Sequence, residues 1–84
     1  MRALFIGGTI DSSEVDLDGQ PPAQYPENAG GDTQRYRLFE TGRRDGEVAY
    51  AIYAAIGMDN AEVERVTAER AYARRFSADE TVRQ

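Results

Sequence analysis

The chain contains no histidine, lysine, tryptophan or cysteine among its 84 residues. Without histidine there is no imidazole base, no Ser-His-Asp arrangement and no histidine-bound zinc. Without lysine there is no Schiff base and no P-loop lysine. Without cysteine there is neither a disulfide framework nor thiolate chemistry. Carboxylates, hydroxyls, phenols and guanidinium groups remain, and these argue for a non-enzymatic role, because histidine is the commonest general acid/base. No apolar run is long enough to cross a bilayer, and the opening residues are too weak for a signal peptide. A soluble protein, with the cytoplasm the favoured compartment, that needs no membrane and no cofactor is expected.

At this length a single domain over residues 1–84 is expected, with a small core worth roughly 3–5 kcal/mol that homodimerisation would supplement. Its net charge of −5 is unevenly placed. Arg2 is outnumbered by Asp11, Glu14, Asp16, Asp18, Glu27 and Asp32, so the first 32 residues alone sum to −5. Phosphate contacts need a basic stripe, so direct nucleic-acid binding is disfavoured. An acidic surface instead suits a basic protein partner, or imitates nucleic acid in front of a protein that binds it.

Along the chain, residues 2–7 read as a buried strand closed by the pair Gly7-Gly8. Residues 13–19 alternate acid and aliphatic, placing Val15 and Leu17 inward and Glu14, Asp16 and Asp18 outward before a turn at Asp18-Gly19. Residues 20–32 hold all three prolines and form a loop. A hairpin comes next, with strands over 33–41 and 47–54 joined by a turn at 42–46; Val48, Tyr50 and Ile52 are expected to share a face with Tyr36 and Leu38. The alanines of 47–56 make a helix the rival reading there, opposed by β-branched and aromatic residues spaced by two.

Asp59 and Glu62 have capping-box spacing, so a helix is expected from there to about Phe76, burying Val63, Val66, Ala73 and Phe76 with Tyr72 at the edge. Residues 77–84 repeat the cap signature and read as a short terminal turn or tail. The expected fold is therefore α+β, a small antiparallel sheet of about four strands with one long C-terminal helix packed on it.

Three motifs lack their essential residues. Gly7-Gly8-Thr9-Ile10 resembles the opening of bacterial-type asparaginases, but Ile6 stands where their nucleophilic threonine belongs. The same stretch resembles the Gly-Thr-Phe-Asp opening of nucleotidyltransferases, whose histidine pair is missing. Glu14 to Gly19 begins like an EF-hand loop, yet Pro21 and Pro22 interrupt it and Tyr25 occupies the twelfth position.

A broader resemblance rests on the "ALFIGG" strand, Asp11, the proline-rich loop, the tyrosine-bearing hairpin, and Gly57, Met58, Glu62 and Val63 at the helix start. Together these resemble small phage and prophage proteins that open Gly-Gly-Pro-x-Asp-Gly after the first strand. This chain differs at Thr9, where the group has proline, and at Ser12, where it has glycine. The resemblance implies a mobile-element accessory protein, a class that includes inhibitors of bacterial defence such as anti-CRISPR proteins. On that reading the chain is a non-catalytic binder of a host protein or ribonucleoprotein complex, acting through Asp11, Glu14, Asp16 and Asp18. An alternative is a sponge for a nucleotide signal, with Gly7 and Gly8 offering N–H groups to a phosphate that Arg35, Arg37, Arg43 and Arg44 clamp. A structural or virion-associated oligomer is a third.

Overall fold

Strand β5 (Glu47–Ala55) lies between β1 (Arg2–Ile6) and β4 (Tyr36–Arg44) in the computed structural model, which describes residues 1–26 and 34–84. Both β1 and β5 are apolar on successive residues rather than alternate ones, the pattern of strands covered on two faces. The remaining elements are β2 (Glu14–Asp16), β3 (Gln24–Tyr25), α1 (Asn60–Arg70), α2 (Tyr72–Arg75) and β6 (Glu80–Arg83). The sheet runs β2-β1-β5-β4-β3, and β6 also pairs with β4. Since β3 meets β4 at Tyr36 and Arg37 and β6 meets it at 40–43, these two short strands share one side of β4 end to end. The expected strand start at Thr33, and Glu27 and Asp32 of the acidic third, lie outside the described residues.

This architecture corrects the expected fold in three respects. The sheet is mixed, because β1 and β5 pair in parallel, with Ala3 beside Ala51 and Phe5 beside Tyr53. Among the described residues it has six strands in a half-barrel, and the helical stretch is a short one of sixteen residues. Residues 80–83, expected to be a turn or tail, form the strand β6 against β4. The helix itself is interrupted where Ala71 takes the left-handed conformation, with φ 52°, between α1 and α2. That break rotates the helical turn after it, so Tyr72 is buried and Ala73 exposed, the reverse of their expected places. Asp59 is the N-cap residue of α1 but makes no side-chain cap bond, and Glu62 pairs with Arg65 instead.

The β4–β5 hairpin closes through Asp45 and Gly46, with φ of 54° and 81°. Positive φ at both central residues is the type I′ geometry that matches strand twist. This turn sets Tyr36 opposite Ala55 and Leu38 opposite Tyr53, while the register shifts between Leu38 and Glu40 and between Gly42 and Arg43 displace only the pairs between them. Tyr36 and Leu38 pack with Ala3, Phe5, Ala51 and Tyr53, whereas Tyr50 and Ile52 join Leu4, Ile6, Phe39, Val63 and Tyr72 beneath the helices. The expected common face is therefore split across the sheet.

Each face has its own cover. The helices close one, and the segment carrying Ile10, Val15, Leu17 and Tyr25 packs on the other. There the Phe5 ring lies 5.0 Å from Tyr25, 5.2 Å from Tyr36 and 5.6 Å from Tyr53. Burial of each such side chain is worth about 1.5–3 kcal/mol, so this aromatic group anchors an otherwise irregular stretch. Glycine is required at position 42, where an added Cβ would overlap Cε2, Cζ and Cδ2 of Tyr50.

Candidate functional site

The turn after β1 is filled by its own side chains. The Gly7 N–H donates to Asp11 Oδ1 at 2.7 Å, the Thr9 N–H to Gln34 Oε1 at 2.8 Å, and the Ile10 N–H to the Tyr36 hydroxyl at 3.1 Å. The Tyr36 hydroxyl in turn donates to the Gly7 carbonyl at 2.7 Å. Gly8 has φ 67°, and a Cβ there would come within 2.5 Å of Gln34 Oε1 and the Tyr36 oxygen, so only glycine fits. Ser12 also takes positive φ, 70°. Of the two N–H groups the nucleotide reading offers to a phosphate, that of Gly7 is already engaged by Asp11.

The acidic run is brought against arginines from distant parts of the sequence. Asp11 Oδ1 accepts from Arg70 at 2.9 Å. Glu14 accepts two bonds of 2.6 Å from Arg75 and one of 3.1 Å from Arg2, which also reaches Asp16 at 2.8 Å. The fork of Arg75 on Glu14 is the bidentate pairing that guanidinium and carboxylate geometry favours. These bonds stabilise the ionised carboxylate, so the Glu14 carboxyl is held down to about 2, first by Arg75 and then by Arg2. Asp11 is also lowered, chiefly by the Gly7 N–H and next by Arg70. Of the four acids singled out from sequence, Asp18 alone makes no ion pair among the described residues.

The four arginines of the alternative clamp are not brought together. Arg37 belongs to the same end of the sheet as Gly7, since it pairs across β4–β5 with Ala54, which pairs with Ile6. Its guanidinium donates to the Met58 carbonyl at 3.2 Å and to Asn60 at 2.6 Å. Arg43 and Arg44 lie six and seven residues further along the strand, roughly 20 Å away at the usual rise of ~3.3 Å per residue. Arg43 donates to the Gly46 carbonyl at 2.6 Å and Arg44 to that of Phe76 at 3.5 Å. Arg35 is exposed just ahead of β4.

At that far end an open hollow of about 350 Å³ is lined by Met1, Gly19, Gln20, Pro21, Gly46 and Glu47, among others. A second of about 270 Å³ shares Gln20, Pro21, Arg43 and Val48 with it and extends to Val82 and Gln84. Asp18 directly precedes the lining residue Gly19 in the sequence. Glu47 also makes no ion pair among the described residues, and it lines this concavity together with Arg43 and the N-terminal Met1. Sequence reasoning singled out Asp18 but missed Glu47, because nothing in a hairpin turn announces that a proline-bearing loop will fold beside it.

Among the described residues no group of His, Cys, Asp or Glu side chains is placed to hold a metal ion. No helix among them is long and apolar enough to cross a membrane. Beneath the sheet, Glu40 is buried and reached by Arg83 at 3.4 Å, whose guanidinium also lies 4.3 Å over the Phe39 ring. The Tyr50 hydroxyl is buried with no hydrogen-bond partner, and burial together with the Glu40 charge pushes it up to about 12. No protein-family model matches the chain, and neither a curated protein nor a solved structure is significantly similar to it.

Proposed function

We propose that the protein is a non-catalytic binder of a basic protein surface, and that it uses the rim at Asp18 and Glu47 rather than the Asp11–Glu14 end of the acidic run. The supporting observation is the division of the carboxylates. Asp11 and Glu14 are engaged by Arg70, Arg75 and Arg2, whereas Glu47, which lines the open hollow of about 350 Å³, and Asp18, next in sequence to its lining residue Gly19, make no ion pair among the described residues. Complementary charge governs the rate and specificity of such an encounter more than its affinity, so the partner is expected to associate quickly and salt-sensitively. The resemblance to phage and prophage proteins supports a host defence protein or ribonucleoprotein complex as that partner, with inhibition following from occlusion of its basic surface.

Titration of isotope-labelled protein with an arginine-rich peptide tests the site without knowledge of the partner. The expected result is amide shifts at Gly19, Gln20, Gly46 and Glu47 that weaken as salt screens the charges. Shifts centred on Asp11 and Ser12 would return the site to the start of the acidic run and overturn the proposal.

A further inference from the structure

Strand β6 is an edge whose sequence complements itself. It pairs with β4 through Glu40 and Arg83, Thr41 and Val82, Gly42 and Thr81, and Arg43 and Glu80, and pairs with no other strand among the described residues. The Gln84 N–H donates back to the Phe39 carbonyl of β4 at 2.9 Å. Backbone groups alternate in direction along an antiparallel strand, so the N–H and C=O groups of Thr81 and Arg83 face away from β4. All four residues of β6 are exposed, and Val82 is one of two large apolar side chains exposed among the described residues, at 40%.

We propose that β6 pairs antiparallel with β6 of a second copy, about a two-fold axis at Val82. Outward groups must meet outward groups, which restricts the central pairing to Thr81 with Arg83, Thr81 with Thr81, or Arg83 with Arg83. The last sets two guanidinium groups against each other. The second would pair Arg83 with Asp79, which lies outside the strand and whose N–H is already bonded to the Arg43 carbonyl. Thr81 with Arg83 has neither defect. It forms two main-chain bonds at each of its two symmetric pairs, sets Val82 against Val82 at the close pair between them, and places Glu80 opposite Gln84. No like charges are opposed. The outer strand at the other end of the sheet, β2, differs, because the same pairing about Val15 would set Glu14 against Asp16. Continuation of the sheet through a paired edge is a common mode of association, and the self-complementary register selects a copy of this chain as the occupant.

Thr81→Pro removes an outward N–H and leaves the bonds to β4 intact, and proline is tolerated on edge strands in that position. In sedimentation equilibrium over a concentration series, the wild-type mass is expected to rise from 9.3 kDa to twice that value, while Thr81→Pro stays at 9.3 kDa. Hydrogen exchange of the wild type supplies an independent readout, in which the Thr81 and Arg83 amides slow with concentration and the Val82 amide does not change. A wild type that remains monomeric throughout, a Thr81→Pro variant that associates equally well, or Thr81 and Arg83 amides indifferent to concentration would each overturn the proposal. Association with an extended segment of another protein instead of a second copy would appear as a wild-type monomer and count against it.

Discussion

Replacing Glu14 by glutamine removes the charge on which Arg75 and Arg2 converge while keeping nearly the same shape. The carboxylate accepts three bonds, two of them at 2.6 Å, and its side chain is only 22% exposed. Hydrogen bonds to charged groups are worth about 1.5–3 kcal/mol where water is excluded, and exposed ion pairs about 0.2–1. The Arg75 and Arg2 side chains are 48% and 39% exposed, which places the loss between these limits, at about 1–2 kcal/mol. For a domain of this size that lowers Tm by roughly 4–16 °C. The pH dependence identifies the cause. A carboxyl held at about 2 in the fold, against about 4.3 unfolded, contributes stability that is complete above the unfolded value and is lost as pH falls toward 2. Urea unfolding of both proteins across this range should show a gap that is constant near neutrality and closes progressively below about pH 4.3. Equal stabilities at neutral pH, or a gap as wide at pH 2 as at neutrality, would refute the assignment of Glu14 as a clamp.

Further consequences concern the packing beneath the helices. Tyr50→Phe removes a buried hydroxyl that has no partner, so the variant should match the wild type or exceed it by about 1 kcal/mol in thermal unfolding; a clear loss would mean the hydroxyl is bonded. Gly42→Ala drives a methyl into the Tyr50 ring and should lower stability by about 1–3 kcal/mol by chemical denaturation, whereas wild-type stability would contradict the close approach. Glu47→Gln, at an exposed residue with no ion pair among those described, should change stability by less than about 0.5 kcal/mol while weakening the salt-sensitive binding of an arginine-rich peptide.

Local chemistry made part of this fold legible. The apolar run of residues 2–7 becomes β1, and the β-branched and aromatic residues of 47–54 outweigh their alanines to form β5. Asp45-Gly46 closes the hairpin within the expected turn region. The features that escaped were long-range or rested on unusual backbone. Two strands apolar on both faces carry no alternation to fix their direction, so the parallel pairing of β1 with β5 had no local signal. The two-residue turn sets Leu38 opposite Tyr53 and Tyr36 opposite Ala55, away from the face of Tyr50 and Ile52, a register that apolar spacing within each strand does not fix. Ala71 takes a left-handed conformation more often filled by glycine, hiding the helix break. Ser77 to Glu80 imitates a helix cap while β4 recruits Glu80 and the three residues after it as a strand. For the candidate site, the acids were plain in the sequence and their neutralisation was not, since Glu14 and Arg75 are 61 residues apart. Arg70 and Arg75, late in the helical stretch, become partners of Asp11 and Glu14 only through the folding of the chain.

The most direct test of the functional account compares two double variants that remove equal charge from different places. Asp11→Asn with Glu14→Gln, and Asp18→Asn with Glu47→Gln, each remove two negative charges, so a general effect of acidity cancels. Both are used as baits for quantitative capture from a bacterial host, at a temperature where circular dichroism shows each to be folded. The account predicts that the partner retained by the wild type is also retained by the first pair and lost by the second. Loss with the first pair and full retention with the second would contradict it.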